Sequence, residues 1–189
     1  VNITPPAPSL WQCARLFSGL YFLLDFYLGF SLTRSMQLKD DHSYMRAAME
    51  EAKLAAERDE VPIGAVLVNP ENGNIIARNG NRTIEMNDPT AHAEILVIRE
   101  ACEKQNSQRI PAYDLYVTLE PCTMCAAAIG FARIRRIIYG ALDPKGGGID
   151  HGVTFFEQPT CHHKIEITGG IMADECGSIL KKYFKAKRL

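Results

Sequence analysis

The sequence predicts an α/β sandwich, with helices covering both faces of one sheet. Three observations carry this. Short apolar runs rich in β-branched residues alternate along the chain with segments whose apolar residues recur at helical spacing. There are no internal repeats and no low-complexity runs. The 189 residues, 47% hydrophobic and 23% charged, suit a single globular domain with a sizeable core.

Each element follows from its residues. Over 41–59, Met45, Ala48, Ala52 and Ala55 fall at helical spacing, with Glu50, Glu51 and Lys53 on other faces, which predicts the first helix. Val61 to Val68 is short, apolar and β-branched, hence a strand. Asn69-Pro70-Glu71-Asn72-Gly73 turns the chain, and Asn74 to Asn79 returns as the second strand of a hairpin. Asp88-Pro89-Thr90 signals a helix start, with helix from about Ala91 to Glu103. Leu115 to Leu119 is a third strand, and Pro121 opens a third, alanine-rich helix. Arg136 to Gly140 is a fourth strand, Gly146-Gly147-Gly148 a loop, Ile165 to Thr168 a fifth strand, and Asp174 to Lys187 a closing helix.

Residues 1–35 are foreign to this pattern. Leu16 to Leu32 carries Asp25 as its only charge, yet falls short of the roughly 20 apolar residues of a membrane span. It also lacks the basic start and small-residue cleavage site of a signal peptide. We expect 1–35 to be an apolar extension outside the native domain, and 36–189, opening at Met36, to be the folded unit. The rival is a genuine membrane anchor over 16–32.

Net charge is −1, and 36–189 holds 19 basic and 21 acidic groups, so no global basic signal for nucleic acid exists. The last nine residues nevertheless hold Lys181, Lys182, Lys185, Lys187 and Arg188 without an acid. They read either as a solvated helix end suited to the helix dipole or as an RNA-contacting patch. The six cysteines are not spaced as a disulfide framework: two form C-x-x-C, while Cys13, Cys102, Cys161 and Cys176 are scattered, as reduced thiols are.

The chemistry lies in His92-Ala93-Glu94 and Pro121-Cys122-Thr123-Met124-Cys125. Cys122 and Cys125 stand three apart at a helix start, so they share a face, and the helix N-terminus favours their thiolates. His92, at another helix start, supplies a third ligand. Three protein ligands leave one position open, the pattern of a catalytic zinc. Cys161-His162-His163 could offer a fourth ligand or be a polar loop. Glu94 places a carboxylate where it can take a proton from an activated water and pass it to a leaving group. Such a site suits hydrolytic attack on an amidine-like carbon, with ammonia leaving. Alone, each motif is weak; together, with 27 residues between Glu94 and Cys122, they are specific.

His-x-Glu followed by Pro-Cys-x-x-Cys is the signature described for zinc-dependent nucleobase deaminases. The sequence resembles the cytidine deaminase-like superfamily and, within it, the bacterial tRNA-specific adenosine deaminases. The matching stretches are EVPIGAVLV (60–68), NR (81–82), NDPTAHAEI (87–95), LYVTLEPCTMCAAAI (115–129), KIEITGGIMADEC (164–176) and the KKYFKAKR end. They run through nearly all of 41–188. The resemblance implies a mixed five-stranded sheet in a three-layer α/β/α sandwich, a homodimer, one zinc per subunit, a cytoplasmic setting with no membrane unless 16–32 is a genuine anchor, and conversion of the wobble adenosine of a tRNA anticodon stem-loop to inosine. It assigns zinc to His92, Cys122 and Cys125, proton transfer to Glu94, the target base to Asn81, the nucleotide sugar and backbone to Asp143, and the anticodon loop to Phe184, Lys185, Lys187 and Arg188.

Simpler readings stand beside these. Asn81 could cap a strand end, and Asn81-Arg82-Thr83 is also a glycosylation sequon; Asp143 precedes Pro144 and could be a turn residue; Phe184 could be core. Residues 145–163 depart from the family pattern and leave substrate choice open. Two rival functions follow: a deaminase of free guanine, cytosine or a nucleotide, and an inactive zinc-stabilised RNA-binding subunit.

Overall fold

The computed structural model describes residues 41–188. The segment 1–35, with its apolar run 16–32, lies outside the described residues. The elements are α1 (41–57), β1 (Gly64–Asn69), β2 (Asn74–Gly80), α2 (Ala93–Gln105), β3 (Asp114–Leu119), α3 (Thr123–Ala132), β4 (Arg136–Ala141), a 3-10 turn (Phe155–Glu157), β5 (Glu166–Thr168) and α4 (Ala173–Lys187). The sheet runs β2-β1-β3-β4-β5. β1 is antiparallel to both β2 and β3, whereas β3, β4 and β5 are parallel. This is the expected mixed five-stranded sheet.

The three central strands read as continuous apolar runs because both of their faces are covered. Alternation sorts their side chains into two cores. Ala65, Leu67, Leu115, Val117, Ile137 and Tyr139 face one side, where Val97 and Ala101 of α2 and Ala126 and Ile129 of α3 pack on them. Val66, Val68, Tyr116 and Ile138 face the other, under Met45 and Ala48 of α1 and Cys176 of α4. α1 approaches so closely that a Cβ on Gly64 would collide with the backbone of Ala48 and Ala52. On this side the Arg136 guanidinium donates to both carboxylate oxygens of Asp41, at 3.1 and 2.9 Å, and the Tyr116 hydroxyl donates to Asp41 at 2.6 Å. Those bonds tie α1 to the middle of the sheet.

Several expected boundaries move, each for a local reason. β1 starts at Gly64 instead of Val61: Pro62 has no N–H for a ladder, and Ile63 N–H turns back to the Val61 carbonyl. α1 ends at 57 because Asp59 takes a left-handed φ of 67°. α2 starts at Ala93, not Ala91, since the N–H groups of Ala91 and His92 close turns onto Asp88 and Thr90. α3 starts at Thr123, with Cys122 as its N-cap. In the 145–163 stretch, Phe155 and Phe156 pack against the first core, which the sequence reading did not anticipate. Among the described residues no helix is long and apolar enough to cross a membrane.

Candidate active site

Two helix starts meet at the site. His92 is the N-cap of α2 and Cys122 the N-cap of α3, with Cys125 one turn inside α3. Both N-termini bring the positive ends of their dipoles to the same place, which favours thiolates. His92 Nδ1 lies 3.8 Å from Cys122 Sγ and 3.5 Å from Cys125 Sγ. The three ligand atoms all lie within 4.8 Å of one another. A tetrahedral zinc with bonds of about 2.3 Å to sulfur and about 2.0 Å to nitrogen places N and S about 3.5 Å apart, so the donor set fits that ion.

The three donors share protons, with Cys122 giving its proton up and its neighbours holding theirs. Cys122 is pushed down to about 4, chiefly by the hydrogen bond it shares with Cys125 and also by His92 beside it. Cys125 is pushed up by that same shared bond and by burial. The Cys122 sulfur, with help from the Glu94 charge, raises the His92 imidazole. Cys161-His162-His163 contributes nothing here: Cys161 Sγ bonds the His163 carbonyl, and His163 Nε2 pairs with the Ile134 carbonyl at 2.6 Å. Among the described residues the trio thus stands as three ligands, the number that leaves a position open.

Glu94 sits in the first turn of α2, buried beside the trio. Its Oε2 has no hydrogen-bond partner among the described residues, an expensive state for a buried carboxyl unless water or a ligand completes it. Burial raises its pKa, so the group holds a proton more readily than an exposed glutamate.

The remaining expected residues divide. Asn81 is buried, and its Oδ1 accepts the Ala93 backbone N–H at 2.9 Å. It therefore caps the start of α2, not a strand end. The amide orientation this imposes leaves Nδ2 as a donor. Asp143 is half-buried and forms a turn, its Oδ1 accepting the N–H groups of Lys145 and Gly146. On α4, Phe184 is exposed, not core, with its ring edge-on to Tyr183. With Lys185 and Arg188 it lines a surface groove. Lys187 is engaged already, pairing with Asp59 and lying over the Tyr183 ring.

Two of the buried carboxylates that escaped the sequence reading hold loops around the site. Glu60 accepts the Ile84 and Glu85 N–H groups at 2.8 and 2.9 Å and the Thr83 hydroxyl at 3.0 Å, fixing the turn that follows Asn81. Glu120 binds the loop from Asp143 to His151. The available signal was an isolated glutamate at an element junction, before Pro121 in one case and Val61-Pro62 in the other.

Comparison with known proteins gives consistent results. Residues 39–188 match the MafB19-like deaminase family. The chain is 62% identical over 146 residues to the tRNA-specific adenosine deaminase of Agrobacterium fabrum, covering 77% of this chain and 95% of that one. Its structure resembles that of a tRNA:A34 deaminase described for A-to-I editing at the wobble position, with a TM-score of 0.71 and 62% identity over 73% of this chain and 99% of the other. The guanine deaminase of Nitrosomonas europaea shares the fold, with a TM-score of 0.67 at 22% identity, over 75% of this chain and 83% of that one.

Proposed function

This chain belongs to the MafB19-like deaminase family and stands with the tRNA-specific adenosine deaminases, from which we infer its reaction: hydrolysis of the wobble adenosine of a tRNA anticodon loop to inosine. His92, Cys122 and Cys125 would hold a zinc ion. When bound, zinc supplies Lewis-acid activation of water near neutral pH. In the net reaction the water oxygen bonds C6 of adenine and the exocyclic C–N bond breaks. One proton of the water goes to ring N1 and the other leaves with the amine as ammonia.

One carboxyl can serve both transfers. Glu94 Oε2 is buried beside the three ligands and unpaired, and that observation carries the mechanism. Its raised pKa suits a group that must take a proton and give it back. Asn81 would orient the base through Nδ2 while its Oδ1 stays on Ala93. Asp143 would meet the sugar and backbone, and Phe184, Lys185, Lys187 and Arg188 the anticodon loop. A target atom inside a stack is out of reach, so a splayed loop nucleotide is the fitting substrate. A homodimer acting in the cytoplasm, with 36–189 as the catalytic unit, completes the reading.

Incubation with an anticodon stem-loop carrying wobble adenosine, and separately with free guanine and cytosine, tests it. Inosine in the RNA is expected. Ammonia from a free base without inosine in the RNA would overturn the assignment in favour of a free-base deaminase.

A further inference from the structure

We propose that Glu120 is a positioning residue for the RNA substrate, acting through the 143–151 loop that it holds against the start of α3. Glu120 stands two residues before Cys122, and its side chain is buried. Its Oε1 accepts the backbone N–H groups of Ile149, Asp150 and His151 at 3.2, 2.9 and 2.9 Å. Its Oε2 accepts the Asp143 N–H at 3.0 Å and pairs with His151 Nδ1 at 2.7 Å. None of these donors belongs to a helix or strand. What the carboxylate orders is a loop, of which Ile149 alone belongs to the first core and the rest lies outside both cores.

The loop it orders lies across the metal-ligand helix. Gly148 N–H donates to the Pro121 carbonyl at 2.9 Å, and Gly147 bridges Cys122. A Cβ on Gly147 would overlap the Glu120 carboxylate, and one on Gly148 would overlap the Thr123 backbone. The loop therefore seats with no room between it and the first turn of α3. Asp143 opens the loop with its N–H on Glu120 and its carboxylate folded over Lys145 and Gly146, so anchoring the N–H fixes where that side chain stands. The result is a rim beside Cys122 in which one carboxylate collects five of the loop's hydrogen bonds. Glutamine cannot replace it, because its amide would turn donors toward at least one of the N–H groups.

This inference rests on the RNA deaminase reading above. Its test uses the full chain in a Glu94→Ala background, with a fluorescent anticodon stem-loop as probe. Glu120→Gln is expected to raise the Kd about tenfold or more, a change typical of a displaced binding group. Bound zinc per chain and the cooperative thermal transition should stay as in the Glu94→Ala parent. In the chain that keeps Glu94, the same substitution should raise KM with kcat little changed. An unchanged Kd, or in a folded variant a loss of affinity that merely follows loss of zinc, overturns the proposal. Should Glu120→Gln not fold, His151→Ala decides, since it removes one bond and leaves four: a Kd raised about threefold supports the proposal and an unmoved Kd overturns it. Inosine production by the unsubstituted chain tests the deaminase reading separately.

Discussion

Asn81 reaches from the end of β2 to the start of α2, where its Oδ1 accepts the Ala93 backbone N–H at 2.9 Å. The residue that would meet the target base thus also holds the helix start that carries His92 and Glu94. Separating those two roles gives the first prediction. Asn81→Ala leaves a helix N–H unpaired and should cost about 1 kcal/mol of stability as well as activity. Asn81→Asp keeps the acceptor but loses the Nδ2 donor. It should stay within about 1 kcal/mol of the parent in urea unfolding while kcat/KM falls tenfold or more. Equal activity in Asn81→Asp and the parent would remove the base contact.

Glu94→Gln should bind zinc in the same ratio as the parent and lose about 10²- to 10⁴-fold in kcat, the range for removing a positioned acid–base group. Metal analysis and inosine formation, measured on one preparation, check both halves. Full activity in the variant would take Glu94 out of the reaction.

Arg136 and Asp41 form a buried pair, their side chains 8% and 1% exposed. Arg136→Ala strands the Asp41 carboxylate and should cost about 3–5 kcal/mol, whereas Tyr116→Phe removes one bond and should cost about 1 kcal/mol. Denaturant unfolding of both variants measures the difference, and a ranking in the opposite order would contradict the assignment.

Acid should weaken the fold partly through Glu60. Burial raises its pKa, but the hydrogen bonds from Glu85, Thr83 and Ile84 outweigh burial and hold it below its ordinary 4.5. A carboxylate lowered in this way contributes stability above its unfolded value, and that stability is lost as pH falls through the folded one. Glu94, raised by burial, works in the opposite direction, so the comparison between parent and Glu60→Gln isolates the effect. The parent should lose melting temperature more steeply below pH 4.5 than Glu60→Gln does. Identical slopes would reject Glu60 as a contributor.

RNA affinity should depend on salt through Lys185 of α4 and Arg188 just past its end, which pair with no acid among the described residues. Lys185→Ala and Arg188→Ala should each lower the slope of log K against log salt by about 1. Lys187, already paired with Asp59, should affect the melting temperature more than the slope. A slope unchanged in both Lys185→Ala and Arg188→Ala would leave the cationic end as a solvated surface.

Much of the framework was legible because it is written in local periodicity. Val66 and Val68 point one way and Ala65 and Leu67 the other, and a run that is apolar at every position marks a strand covered on both sides. Element starts were less legible. Whether α2 begins at Ala91 or Ala93 depends on which carbonyls the Asp88–Thr90 turn engages, and a propensity rule does not count hydrogen bonds.

The sequence by itself determined the donor types and their neighbourhood. Histidine and two cysteines at helix starts, with a glutamate two residues from the histidine, are the donor types a metal-assisted hydrolysis would need, because coordination and proton transfer depend on atom type and short spacing. Tertiary structure alone decided what surrounds them. Asn81 finds an N–H twelve residues away, and Glu120 collects donors 23 to 31 residues away. Such partners come together only when β3 is placed between β1 and β4. A buried carboxylate must be satisfied by whatever donors the fold brings to it, and no periodicity along the chain encodes which those will be.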